Sequence, residues 1–146
     1  MFRGSSPAKI DAKGRIKVPT EFRRLLEEHH GADVFVTSVT GESALIYPLS
    51  VWEEQEQKLA SVPSSNRAKQ RYLARVNYFG QQLKLDSQGR AVVPQILREK
   101  AQILGEVVVS GRLDHLEVWN KERFEQMLLE EPFENEDFDS LSELGI

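Results

Sequence analysis

Cysteine is absent from the 146-residue chain. That excludes disulfides and thiolate chemistry, and a cytoplasmic location is expected. Long apolar runs are missing too. None approaches the ~18 residues of a membrane span, and the polar start has no secretory apolar core, so no membrane partner is expected. Histidine is limited to His29, His30 and His115. No nucleophile or carboxylate constellation, phosphate loop or metal-ligand spacing goes with them. His29 and His30 are adjacent and cannot share a helix face, so they mark a helix end better than a metal site. No enzyme activity, cofactor, metal or small-molecule substrate is expected.

What the chain does contain is a repeat. Asp11-Ala12-Lys13-Gly14-Arg15-Ile16-Lys17-Val18-Pro19 returns as Asp86-Ser87-Gln88-Gly89-Arg90-Ala91-Val92-Val93-Pro94. Asp, Gly, Arg, Val and Pro match at one offset, 86 − 11 = 94 − 19 = 75. Such in-register identity points to two similar halves. Each copy is followed by an apolar–Arg pair, Phe22-Arg23 and Leu97-Arg98.

Within the first copy, Ile16 and Val18 alternate with Arg15 and Lys17, the period of a half-buried strand. The preceding Asp-x-x-Gly reads as a tight turn, with Asp bonding its own backbone and Gly at positive φ. Pro19 and Pro94 end the strands and suit the start of a helix. The unit is therefore strand, turn, strand, helix, with hairpins expected from 8–11 with 15–18 and from 82–86 with 91–93. Asp11 and Asp86 brace the turns, and Arg15 and Arg90 are the candidate contact residues.

Charge is unevenly distributed. The net charge is −4, but residues 122–146 hold nine acids and one base. The remainder then has 23 − 9 = 14 acids against 19 − 1 = 18 bases. Residues 1–24 carry seven bases (Arg3, Lys9, Lys13, Arg15, Lys17, Arg23, Arg24) against Asp11 and Glu21. A basic head with an acidic tail suggests an anionic partner for the head. The first copy keeps Lys13 and Lys17 where the second has Gln88 and Val92. The first turn is therefore expected to dominate binding, with Val92 covered by protein.

Further along, Phe22, Leu25 and Leu26 lie on one face of a helix from 20 to about 28, closed by Gly31. Strands are expected at 34–39 and 44–47. Ser50 and Glu53 suggest a capping box for a helix to about 59, with Trp52 packed onto the sheet. The break at 61–65 is too short for a flexible tether. The bases Arg67, Lys69, Arg71 and Arg75 read as the solvated side of a helix that buries Tyr72, Leu73 and Val76. A helix from 95 to about 104 should turn Leu97, Ala101 and Leu104 inward, with Gly105 as its cap. Strands follow at 107–109 and 115–119, and then a helix capped by Asn120. Residues 132–146 are acidic and sparsely apolar, so they are expected to be mobile or ordered only by contacts. The halves divide as 1–60 (first repeat), 61–78 (connecting segment), 79–130 (second repeat) and 131–146 (acidic tail).

The doubled Asp-x-x-Gly-Arg turn, each copy followed by Val-Pro and a helix, together with the Met1-Phe2-Arg3-Gly4 start, resembles the MraZ family across roughly residues 1–130. The resemblance implies an α+β fold: a pseudo-twofold, duplicated, swapped-hairpin β-barrel of the AbrB/SpoVT type with flanking helices. It also implies a transcriptional regulator of the division and cell-wall gene cluster, bound to direct repeats in double-stranded promoter DNA, nucleoid-associated and assembled into homo-oligomeric rings. Carried over by position, the DNA-binding candidates are Asp11, Gly14, Arg15, Asp86 and Arg90, with Arg3, Lys9, Lys13 and Lys17 beside them. An antitoxin-type repressor of the same fold is an alternative, although such proteins usually carry one copy of the motif. A structural ring without a nucleic-acid role is another, and it leaves the basic head unexplained.

Overall fold

The computed structural model describes all 146 residues. In chain order the elements are β1 (Ser5–Lys9), β2 (Arg15–Lys17), α1 (Thr20–His29), β3 (Asp33–Thr37), β4 (Ala44–Pro48), α2 (Leu49–Ala60), α3 (Arg67–Tyr78), β5 (Gln81–Lys84), β6 (Arg90–Val92), α4 (Gln95–Ala101), β7 (Glu106–Gly111), β8 (Leu116–Asn120), α5 (Lys121–Glu130) and α6 (Asn135–Ser142). This is a mixed α+β fold. Six strands make one antiparallel sheet in the order β1-β7-β8-β4-β3-β5, and β2 and β6 make a separate two-stranded ribbon.

The pairing crosses between the halves. β1 pairs with β7, from Ser5 opposite Ser110 to Lys9 opposite Glu106. Its counterpart β5 pairs with β3, from Val36 opposite Gln81 to Asp33 opposite Lys84. β3–β4 and β7–β8 remain local hairpins. The two local hairpins expected around the repeated turns are therefore replaced, since only an isolated Ile10–Ile16 bridge joins β1 to β2. The reason lies in the core. Strands of three residues, each stopped by a proline, gain little from local ladder bonds. Pairing β2 with β6 instead places Ile16, Val18, Ala91 and Val93 in one cluster, none more than 1% exposed. The expected barrel is not closed either. β1 and β5 stand at opposite edges of the sheet, where Pro7, Lys9 and Lys84 discourage further pairing.

Positions 75 apart share the interior. Phe22 with Leu97 and Leu26 with Ala101 join the same cluster from α1 and α4. The larger member stands in the first half each time, so the two halves fill the shared interior with side chains of unequal size. Above the sheet, Trp52 of α2 stacks on Phe35 (4.8 Å) and faces Tyr72 of α3 (6.5 Å). Thr37 Oγ1 donates to the Val76 carbonyl at 2.6 Å, anchoring α3.

Several local expectations change. α2 opens at Leu49 after Pro48 with no side-chain cap, and Ser50 Oγ lies 2.9 Å from His30 Nδ1 rather than capping the helix. Pro48 fixes an extended entry and carries no N–H, so the helix starts two residues early. α4 ends at Ala101 because Gln102 turns left-handed (φ 53°). That turn puts Ile103 inside and leaves Leu104 65% exposed, and Gly105 falls beyond the cap. The tail, expected to be mobile or ordered only by contacts, holds a helix of its own. Glu134 and Asp137 form a reciprocal capping box that starts α6, satisfying two otherwise free N–H groups.

Candidate nucleic-acid interface

Each repeated turn is closed around one carboxylate. Asp11 Oδ1 accepts the backbone N–H groups of Lys13 (3.0 Å) and Arg15 (2.9 Å), while Oδ2 accepts Arg15 Nε–H at 2.7 Å. The second turn repeats this arrangement. Asp86 Oδ1 accepts Gln88 N–H and Arg90 N–H, both at 2.9 Å, and Oδ2 accepts Arg90 Nε–H at 2.7 Å. The backbone bond from Arg15 in one turn, and from Arg90 in the other, is the main reason both aspartates sit below their ordinary pKa. Glycine ends each turn, with Gly14 at φ 81° and Gly89 at φ 73°. Both glycines are buried.

The turns also lock onto each other's half. Val93 N–H donates to the Gly14 carbonyl at 2.8 Å, and Val18 N–H to the Gly89 carbonyl at 2.9 Å. Arg98 of α4 lies over the first turn, so a Cβ on Gly14 would stand 2.5 Å from its Cζ. Arg23 of α1 covers the second turn in the same way, 2.6 Å from a Cβ at Gly89, and its Nη2 donates to the Ser87 carbonyl at 3.1 Å. Arg23 and Arg98 are thus the residues that support the turns, a role the repeated apolar–Arg pair signalled without revealing which turn each would meet. Arg98 Nε is buried without a hydrogen-bond partner.

The outward row of the ribbon follows from its register. Arg15 stands opposite Val92, Ile16 opposite Ala91 and Lys17 opposite Arg90. Alternation sends Ile16 and Ala91 into the core and the other four residues outward. Val92 is 38% exposed, so it is not covered by protein as expected from its apolar character. The cations are also redistributed. The first turn sits at the Arg15–Val92 end with Lys13, and the second at the Lys17–Arg90 end. Each end of the ribbon therefore presents two bases, Lys13 with Arg15 and Lys17 with Arg90. Lys13 and Lys17 are exposed and take part in no ion pair. Arg15 and Arg90 use Nε on their aspartates, with side chains 29% and 26% exposed, and no hydrogen bond engages their terminal guanidinium nitrogens within the chain.

The remaining candidates lie elsewhere. Lys9 is exposed on edge strand β1, two residues before the first turn. Arg3 lies past the far end of β1, where its backbone passes Gly111. At ~3.3 Å per strand residue, that end is tens of ångströms from the turn. The structure groups Asp11, Lys13, Gly14, Arg15, Lys17, Asp86 and Arg90, and it leaves Arg3 out.

A family model described as "MraZ protein, putative antitoxin-like" matches residues 1–75 and 80–142. The chain belongs to the MraZ family. Among its relatives, a protein of Acidobacterium capsulatum named transcriptional regulator MraZ is 49% identical over 146 residues, covering all of both chains. One of Koribacter versatilis with the same name is 46% identical, again over both full lengths. A third, from Syntrophobacter fumaroxidans and also so named, is 38% identical over 82% of this chain and 79% of its own. The two segments matched by the MraZ model each contain one copy of the repeated turn.

Proposed function

We propose that the protein is a sequence-specific DNA-binding transcriptional regulator and that its two Asp-x-x-Gly-Arg turns and the β2–β6 ribbon between them form the DNA-reading surface. The observation that carries this is the outward row of the ribbon. Lys17 stands directly opposite Arg90, with Arg15 two residues away and Lys13 at the adjacent turn, and the only carboxylates among them are held inside the turns. Like charges placed opposite each other on a ribbon are destabilising. A polyanion relieves that repulsion. A two-stranded ribbon fits the DNA major groove, where a guanidinium can fork onto guanine O6 and N7, and lysines on either side can meet phosphates. Phosphate contacts supply affinity and the few base contacts supply specificity.

The names of the relatives support a regulatory role, and the crossed strand pairing supports a duplicated swapped-hairpin arrangement of the AbrB/SpoVT type. In this reading the repeats span 1–60 and 79–130. The copies assemble head-to-tail into a ring acting in the cytoplasm at the nucleoid, and a ring of identical reading surfaces suits direct repeats of double-stranded DNA better than a palindrome. The test is to sequence the genomic fragments that the purified protein retains and then compare a selected duplex with a scrambled one at two salt concentrations. Enrichment of spaced direct repeats with at least tenfold discrimination is expected. Retention of all fragments alike, or of none, overturns the reading.

A further inference from the structure

Two exposed surfaces remain after the ribbon is accounted for, and they are complementary. On α3, Arg67, Arg71 and Arg75 follow one another at i, i+4 and i+8 and form one stripe, all exposed, with Tyr78 (65% exposed) at its end. None of the three arginines meets a carboxylate within the chain, and Arg75 Nη1 donates only to the Arg71 carbonyl. The opposite face of α3 is the docked one, through Tyr72 and the Thr37–Val76 bond.

The second surface is α6. It follows α5 as α3 follows α2, yet every residue from Glu131 to Ile146 except Leu141 is exposed. Glu136, Asp139 and Glu143 fall on one side, at i, i+3 and i+7, and none of them is in an ion pair. Phe138 (60% exposed) lies on the far side of the helix, roughly 100–160° around from the three acids, and packs edge-to-face on Phe133 (57% exposed) at 4.7 Å, while Leu144 and Ile146 are 76% and 82% exposed.

The lengths agree. At ~1.5 Å rise per residue the arginine stripe spans about 12 Å and the acidic stripe about 10 Å. We infer that α6 of one copy docks lengthwise and antiparallel on α3 of a second copy, Glu136 meeting Arg75, Asp139 meeting Arg71 and Glu143 meeting Arg67. This rests on the head-to-tail assembly proposed above and names its contact. Donor and acceptor surfaces are different, so the contact is heterologous, and each copy can give one and take one. A single helix pair falls short of the ~1,200–2,000 Å² of a stable interface. Closure into a ring supplies the rest through avidity.

The experiment is light scattering on the full chain at low and high salt, with melting curves as a check on folding. The double reversal Arg71→Glu with Arg75→Glu, and separately Glu136→Arg with Asp139→Arg, should each raise the concentration for half-dissociation by at least roughly tenfold per reversed pair. An equimolar mixture of the two reversed proteins should regain the native mass, because every contact is again between opposite charges. Reversed proteins that keep the native mass, or a mixture of folded proteins that fails to reassemble, overturn the contact while leaving the assembly itself standing. A wild-type chain that is monomeric at every concentration overturns both, and DNA selection by the ribbon still stands or falls separately.

Discussion

Replacing Arg15 with Ala, and separately Arg90 with Ala, should weaken operator binding to nearly the same degree. Counted along the sequence, the first copy has three cations (Lys13, Arg15, Lys17) and the second only Arg90, which would make Arg15 dominant. The strand pairing changes the count. Lys17 is carried across the ribbon to stand opposite Arg90, so each end keeps two bases. The two arginines are held alike, with Nε 2.7 Å from the turn aspartate and side chains 29% and 26% exposed. Removing one bidentate bond to a base costs about 1–3 kcal/mol. If the guanidinium meets a phosphate instead, the log–log salt slope falls by about 0.9 for each phosphate left without its cation. The assay is fluorescence anisotropy on one operator duplex at several salt concentrations, after circular dichroism has shown both variants folded. Affinities reduced to the same extent within about threefold, roughly 0.7 kcal/mol, are expected. A reduction more than tenfold larger for Arg15→Ala, with both proteins folded, would refute the idea that the ribbon equalises the two turns.

Acid should weaken the fold through Asp11 and Asp86. Both have folded pKa values depressed by backbone and Arg bonds, so the stability they add is present above the ordinary aspartate value of about 3.9 and is lost as pH falls through their folded values. Melting temperatures of Asp11→Asn and Asp86→Asn should accordingly vary less with pH below about 4 than those of the parent. Gly14→Ala should cost about 1–2 kcal/mol from the left-handed backbone alone, and more because the new Cβ would stand 2.5 Å from the Arg98 guanidinium. Urea unfolding that shows no destabilisation would exclude that close approach. Thr37→Val should cost about 1–3 kcal/mol by leaving the Val76 carbonyl unpaired, and exchange of α3 amides should quicken. Removing residues 131–146 should leave the melting temperature almost unchanged when it is compared with the full chain at a concentration where both are monomeric, since nearly all of that segment is exposed; a drop of many degrees there would show the tail to be part of the core.

Much of this protein is written locally. The offset of 75 announces two equivalent halves, and each turn forms as Asp-x-x-Gly dictates, because its bonds run within five residues. The apolar spacing of α1 and the Asn120 cap of α5 agree with their sequence signals, being short-range chemistry too. Segments whose nearest competitors lie next door in the chain are harder to read. Pro48 displaces Ser50 from its capping role, and left-handed Gln102 cuts α4 short. The capping box that orders α6 uses Glu134 and Asp137, residues whose charge alone suggests an unstructured tail. Partner choice is not local at all. Nothing in the alternation of Ile16 and Val18 says whether β2 will pair with β1 or with a strand 75 residues away. That choice belongs to the core, where the exchange of strands sets Ile16 opposite Ala91 and buries both. The same exchange lays Arg98 over Gly14 and Arg23 over Gly89, and it carries Lys17 to the side of Arg90. The two turns and the charges they carry depend on neighbours along the chain, so they are legible in the residues alone. Which of those charges share a surface depends on which apolar faces can leave water together, and that is settled only when the halves pack.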